Sequence, residues 1–209
     1  LRKNNVSALL IGGQACILYG AAEFSRDIDI AIMISPENIS NLKTALKELD
    51  AIQIFFPQLS EQYLLKGHAC HFKCRRKDVF NLRIDIMGIM RGVEPFEALW
   101  RRRNNIAVPG NGKIPVISIE DLVKSKKTQR DKDWPMIRRL VEANIFKSSY
   151  SASSDKVRFW LSECRTPDLL ITLANRHPIP TQELTRTRPL LKYAANKNRG
   201  ESHSNGYST

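Results

Sequence analysis

Between residues 27 and 34 the chain alternates strictly, with Asp27 and Asp29 interleaved among Ile28, Ile30, Ile32 and Ile34. A strand sends successive side chains to opposite faces, so the isoleucines bury one way while the two aspartates project together the other way. Leu82-Arg83-Ile84-Asp85-Ile86 repeats the parity, with Leu82, Ile84 and Ile86 inward and Asp85 outward. The pattern demands a sheet with one sealed face and places three carboxylates on the other. Carboxylates gathered in this way repel one another unless a positive group sits among them, and a divalent cation with oxygen ligands is the usual one. In two-metal sites the ions lie roughly 3.5–4 Å apart. Carboxylates at i and i+2 of one strand, with Cα atoms about 6.5–7 Å apart, can share such a cluster. That arrangement suits phosphoryl or nucleotidyl transfer. A single aspartate of this kind more often just solvates an open sheet face, so the segment upstream has to carry weight as well.

That segment, Ala8-Leu9-Leu10-Ile11-Gly12-Gly13-Gln14-Ala15-Cys16-Ile17-Leu18-Tyr19-Gly20, runs from an apolar stretch through two glycines into a helix-compatible stretch. The order is strand, tight turn, helix N-terminus. Glycines let backbone approach a ligand, and free N–H groups at a helix start favour phosphate. Paired glycines alone usually mark an ordinary turn; followed by Asp-x-Asp on a strand they say more.

Together, Gly12-Gly13, Asp27-Ile28-Asp29-Ile30 and Asp85 in an apolar strand resemble the signature of the DNA polymerase β-like nucleotidyltransferase superfamily. The closest likeness is to its small prokaryotic members, which include toxin–antitoxin and abortive-infection enzymes. It extends through Ser118-Ile119-Glu120-Asp121-Leu122 to Lys126, Arg130 and Asp133, covering roughly residues 6–145. The resemblance implies Mg²⁺ or Mn²⁺ on Asp27, Asp29 and Asp85, which would be the catalytic residues. It implies a nucleoside triphosphate held by Gly12, Gly13, Ser25, Arg26, Lys126 and Arg130. The implied reaction moves an NMP group from the NTP to an acceptor hydroxyl and releases pyrophosphate. One departure stands out: relatives often carry Arg two residues before the Ser or Thr that precedes Asp-x-Asp, and here that place holds Glu23. Glu23 motivates an alternative, a non-catalytic nucleotide-binding module. Other readings are an antitoxin that adenylylates a protein partner and an antibiotic-modifying enzyme.

The formal net charge of +12 and pI near 9.8 suit an enzyme acting on an RNA end such as tRNA, ahead of a protein or small-molecule acceptor. Compact basic runs occur at Arg75-Arg76-Lys77 and Arg101-Arg102-Arg103, and such runs are usually solvated loop faces. Cys16, Cys70, Cys74 and Cys164 form no disulfide framework, which points to a reducing cytoplasm. The cluster His68-Ala69-Cys70-His71-Phe72-Lys73-Cys74 lacks a second ligand pair elsewhere, so it reads as a strand bordering the active face rather than a zinc site. No apolar run approaches the ~20 residues of a membrane span, and no signal-peptide core precedes the first strand.

Hydrophobic spacing predicts strands at 6–11, 27–34, 51–56, 68–74 and 81–87, and a hairpin from 106–108 and 114–117. It predicts helices at 14–19, 36–49, 60–65 and 95–102, with Ser35 as N-cap of the second. Ser118 with Asp121 resembles a capping box opening the Lys126 helix. Asp133, just before Trp134-Pro135, reads as ordinary helix-start chemistry; further helices are predicted at 154–163 and 167–175. The expected architecture is α/β: a polymerase β-like nucleotidyltransferase fold with a mixed sheet flanked by helices and a small C-terminal helical region. The expected boundaries are a catalytic core at 1–117, a helical region at 118–176 and a mobile polar tail at 177–209.

Overall fold

The computed structural model describes residues 1–110, 112–127, 131–148 and 152–201, with side chains omitted at 132 and 197–201. Arg130 and residues 202–209 lie outside the described residues. The chain divides into two compact units, Leu1–Met136 and Ile137–Thr209.

The first unit is built on a seven-stranded mixed sheet: β1 (Ala8–Ile11), β2 (Asp27–Ile32), β3 (Ala51–Gln53), β4 (Cys70–Cys74), β5 (Arg83–Met87), β6 (Asn104–Val108) and β7 (Gly112–Val116), in the order β3-β4-β5-β2-β1-β7-β6. β2 runs parallel to β5 and antiparallel to β1; β4 is antiparallel to both β3 and β5. The helices of this unit are α1 (Gly12–Leu18), α2 (Pro36–Glu48), α3 (Glu61–Leu65), α4 (Phe96–Arg102) and α5 (Ile119–Lys127); α6 (Trp134–Ser148) begins here and continues into the second unit.

The predicted parity holds where the sheet is sealed. Ile30, Ile32, Ile84 and Ile86 are buried in one cluster with Cys70, Phe72 and Cys74 of β4 and with Ile39, Leu42 and Leu46, which recur at helical spacing along α2. Ser35 caps α2 by accepting a hydrogen bond from Asn38 N–H at 3.2 Å, and Pro36 occupies the first helical turn, where no N–H is required. The Asn38 side chain is buried. It accepts from Ser7 N–H and donates to the Ser7 and Met33 carbonyls, pinning the helix to the start of β1 and the end of β2.

Ser118 and Asp121 form the expected cap: the Asp121 N–H donates to Ser118 Oγ at 3.1 Å, and the Ser118 hydroxyl donates to Asp121 Oδ2 at 2.8 Å. In the Arg101-Arg102-Arg103 run, Arg101 and Arg102 are exposed as the composition suggests, but two of the three arginines also make specific contacts. Arg102 grips the buried Asp121 carboxylate through Nε at 3.0 Å and a terminal nitrogen at 3.1 Å, and Arg103 lies over the Trp100 ring with its guanidinium carbon 4.0 Å from the centroid. Arg75 and Arg76 do remain exposed, paired with Asp50 and Asp78.

The second unit is helical: the rest of α6, α7 (Ser154–Glu163), α8 (Pro167–Arg176), α9 (Pro178–Leu184) and α10 (Leu190–Glu201). Trp160 is buried, with its indole N–H donating to Asn144 Oδ1 at 2.7 Å. Arg188 donates to the Leu161 and Cys164 carbonyls, and burial lowers its pKa below the usual arginine value. Two expected boundaries differ from the structure. The division falls at Met136 rather than after residue 117, because the α5 segment belongs with the sheet. Helices continue past residue 176, where Leu191 and Ala194 of α10 are buried although the segment reads as polar and proline-rich. Among the described residues, no helix is long and apolar enough to cross a membrane.

The Arg102–Asp121 pair generates a stability prediction. Arg102→Ala leaves the buried Asp121 carboxylate with only Ser118 and the more distant Lys124. The expected cost is about 2–3 kcal/mol in urea unfolding, below that of a fully buried pair because Arg102 is half exposed. The double change Arg102→Leu with Asp121→Asn is expected to recover part of that loss.

Candidate active site

The parallel register of β2 and β5 sets Asp29 directly beside Asp85 and Asp27 beside Arg83. Side chains opposed across neighbouring strands share a face, so the three aspartates predicted from parity do converge. Asp27, Asp29 and Asp85 line a cavity of about 710 Å³ together with Gly12 and Gly13, the first two residues of α1, where the chain turns out of β1, and with Ser125 and Lys126 of α5. A volume of this order accommodates a nucleotide-sized ligand. A larger hollow of about 910 Å³ lies on the other sheet face, against Leu10, Ile28 and Ile30, but its walls hold no carboxylate.

The two glycines are required sterically. Gly12 adopts φ +62°, and a Cβ placed there would lie 2.0 Å from Asp29 Oδ2; a Cβ on Gly13 would lie 2.4 Å from Ser25 Oγ. The Gly13 N–H lies near enough to the Asp29 carboxylate to draw its pKa down, so the turn and this aspartate act on each other directly. Ser25 is anchored as well, donating to the Asp27 carbonyl at 3.1 Å and accepting at its own carbonyl from the Gln14 amide.

Asp29 feels the crowding. Burial pushes its pKa above the ordinary carboxylate value, the Asp85 and Asp27 charges push it further, and the Gly13 N–H and Lys126 pull it back. Asp85 is mostly buried and already engaged. Arg83 Nε donates to its Oδ1 at 2.8 Å, and His71 Nδ1 lies 2.8 Å from the same oxygen. The Arg83 terminal nitrogen also lies 3.2 Å from His71 Nδ1. That ring nitrogen donates to Asp85 or accepts from Arg83, so the histidine tautomer decides how tightly Asp85 is held. The Asp85 carboxylate in turn raises the Arg83 pKa.

Arg83 and His71 were not singled out from sequence. Arg83 was readable, since it stands two residues before Asp85 on the same strand and so on the same face. His71 was not, because its place beside Asp85 comes from the β4–β5 register. The histidine–cysteine cluster behaves as expected of a bordering strand: Cys70, Phe72 and Cys74 are buried on one face and His71 reaches Asp85 on the other.

Among the remaining expected contacts, Lys126 is half-buried in the cavity wall, while Arg26 is exposed and does not line it. Glu23, the motive for the non-catalytic alternative, is likewise exposed and is not among the cavity's lining residues. Asp133, expected to serve only a helix start, also lines the cavity. Arg130 lies outside the described residues.

Among the described residues no three His, Cys, Asp or Glu side chains stand close enough to enclose a metal on their own. Mg²⁺ is ordinarily held by one or two carboxylates, with substrate phosphates and water completing the octahedron. The donor set fits that mode: two all-oxygen side chains one residue apart, one of them with its pKa raised by burial and by the neighbouring carboxylates.

Neither a protein-family model nor a curated protein matches the sequence. Among solved structures, a crystal structure of ANT(2'')-Ia in complex with adenylyl-2''-tobramycin is similar at 13% identity. The match covers 77% of this chain and 88% of that one, with a TM-score of 0.44. A solution structure of the antibiotic-resistance factor ANT(2'')-Ia is similar at 12% identity, covering 97% and 91%, with a TM-score of 0.40. Likenesses this distant do not assign the chain to a family.

The crowding of Asp29 makes a signed prediction. Its carboxylate form destabilises the fold above its raised folded-state pKa, and that penalty is relieved as pH falls through that pKa toward the ordinary value. The metal-free protein is therefore expected to gain stability on mild acidification. Asp29→Asn is expected to lack that gain and to melt higher than the wild type at neutral pH. Thermal unfolding of both proteins across the pH range reads both effects.

Proposed function

We propose that the first unit is a metal-dependent nucleotidyltransferase of the polymerase β-like superfamily. In this reading it moves an NMP group from an NTP to an acceptor hydroxyl and releases pyrophosphate. The observation that carries the reading is the convergence of Asp27, Asp29 and Asp85 on one cavity wall, facing the glycine turn and Lys126. Lone aspartates on an open sheet face need no such cavity, no cation across from them and no glycine turn shaped around one of them. Within the superfamily, Gly12-Gly13, Asp27-x-Asp29 and the Glu120-Asp121-Leu122 helix keep the small prokaryotic enzymes, toxin–antitoxin members included, as the nearest group.

Asp27 and Asp29 would hold Mg²⁺ or Mn²⁺, with Asp85 as third ligand. When bound, the metal supplies Lewis-acid stabilisation of the phosphate oxygens and lowers the pKa of the attacking hydroxyl. Asp85 would accept the acceptor's proton as the hydroxyl oxygen bonds to the α-phosphorus. The bond from that phosphorus to the bridging oxygen breaks, and Lys126 offsets the charge that moves onto pyrophosphate. Arg83 and His71 both engage Asp85 through the same oxygen, Oδ1.

A non-catalytic nucleotide-binding module is the second reading, favoured by the engagement of Asp85 with Arg83. Incubation with each α-labelled NTP and Mg²⁺, offered total RNA, cell lysate protein or an aminoglycoside, separates the two, because only an enzyme labels an acceptor. Asp85→Ala is expected to lower transfer by about 10²–10⁴-fold, and the pair Asp27→Ala with Asp29→Ala to abolish it while the protein still folds. Transfer left intact in either variant would sink the assignment.

A further inference from the structure

On the far side of Asp85 from the glycine turn, the sheet continues for two more strands with its aspartate-bearing face open. The register names what stands there. One row crosses from Asp29 to Asp85 and His71; the next crosses from Asp27 to Arg83, Lys73 and Ile52. Beyond Asp85, β4 and β3 place no acid on this face. Arg83 is partly exposed, Ile52 is exposed, and Phe55, just past β3, is 57% exposed. The Phe55 ring meets His71 edge-on at 5.8 Å, and the Arg83 guanidinium carbon lies 5.9 Å from its centroid. Phe56, 78% exposed, stands edge-on to Tyr63.

Two cations and an exposed ring beside them, on a sheet face leading to Asp85, supply the two components that single-stranded nucleic acid requires: phosphate contacts and a planar stacking surface. Polyamine-like acceptors such as aminated sugars need carboxylates on this side, and the strip offers cations instead. The strands from β2 to β3 span roughly 14 Å, room for a short run of nucleotides across the sheet. The chain's net charge of +12 adds long-range attraction of the same sign.

We propose that this strip, carried by Lys73, Arg83, His71 and Phe55, docks a single-stranded polynucleotide and delivers its terminal hydroxyl to Asp85. The docking stands on the strip alone, whereas the delivery rests on the nucleotidyltransferase reading.

Fluorescence anisotropy of a short fluorescein-labelled single-stranded RNA with the full chain, in the absence of NTP, tests the docking. The wild type is expected to bind the single strand about tenfold more tightly than the same sequence in a duplex. Phe55→Ala is expected to weaken binding about tenfold through lost stacking. Lys73→Glu is expected to reduce the dependence of log affinity on log salt by about 0.7, with Lys73→Gln replacing it if the glutamate variant fails to fold. Nucleotide binding by calorimetry is expected to be unchanged in all three variants. RNA binding at wild-type affinity in both Phe55→Ala and the lysine variant overturns the proposal. So does polyglutamate that binds as tightly as RNA and is lost in the same variants, since the strip would then serve an acidic protein.

The labelled-NTP assay separates this inference from the reading beneath it. Label at RNA ends that falls in both variants supports the delivery. Label on lysate protein or aminoglycoside, with none on RNA, overturns the delivery and leaves the transferase standing. Strip-dependent RNA binding with label on no acceptor overturns the transferase and supports the docking surface.

Discussion

The adjacency of Asp29 and Asp85 across the parallel β2–β5 pair is the constraint around which the first unit is arranged. Two carboxylates brought side by side, with a third on the same strand, oppose folding through mutual repulsion and loss of solvent. The rest of the unit compensates. The sealed face, where α2 covers the isoleucines of β2 and β5, fixes the register by hydrophobic burial, because slipping one residue would turn every isoleucine outward. The aspartates are held where they repel because the residues behind them have nowhere else to go. Such a site is stable only by virtue of its scaffold, which is the usual relation between catalytic groups and the fold that presents them.

The local positive groups divide that work unequally. Arg83 and His71 converge on one oxygen of Asp85, and Lys126 stands across the cavity from Asp29. The Gly12-Gly13 turn closes in so tightly that one glycine gives space to Asp29 and the other to Ser25. A motif that reads in sequence as a phosphate cradle is thus, in this structure, equally a carboxylate cradle. A turn that packs against an Asp29 oxygen and lines the same cavity ties the position of that carboxylate to the shape of the cavity wall.

What sequence made legible was whatever depends on local periodicity. The Ile/Asp alternation placed both catalytic-type strands, Ser35-Pro36 placed the start of α2, and Ser118 with Asp121 placed the cap of α5. What it could not show depends on pairing between distant segments. His71 reaches Asp85 only through the β4–β5 register, and Arg102 leaves its basic run for a buried carboxylate only because α4 and α5 meet. The packing of the C-terminal segment is hidden in the sequence for a related reason. Its apolar residues are few and spaced among polar ones, so their burial is visible only once α8, α9 and α10 pack together.

β3 is one of the two edge strands of the sheet, the one lying beside the open strip, and it is only three residues long. Edge strands expose unpaired N–H and C=O groups that recruit further strands, and apolar neighbours worsen the hazard. Here the chain leaves the sheet after Gln53, and Pro57, with no N–H to offer, follows within a few residues. The Gln53 side chain then turns back to bond the Phe55 and Pro57 carbonyls, leaving those groups less open to an incoming strand. The brevity of this edge lets Ile52, Phe55 and Phe56 stay at the surface without making the protein a template for its own aggregation.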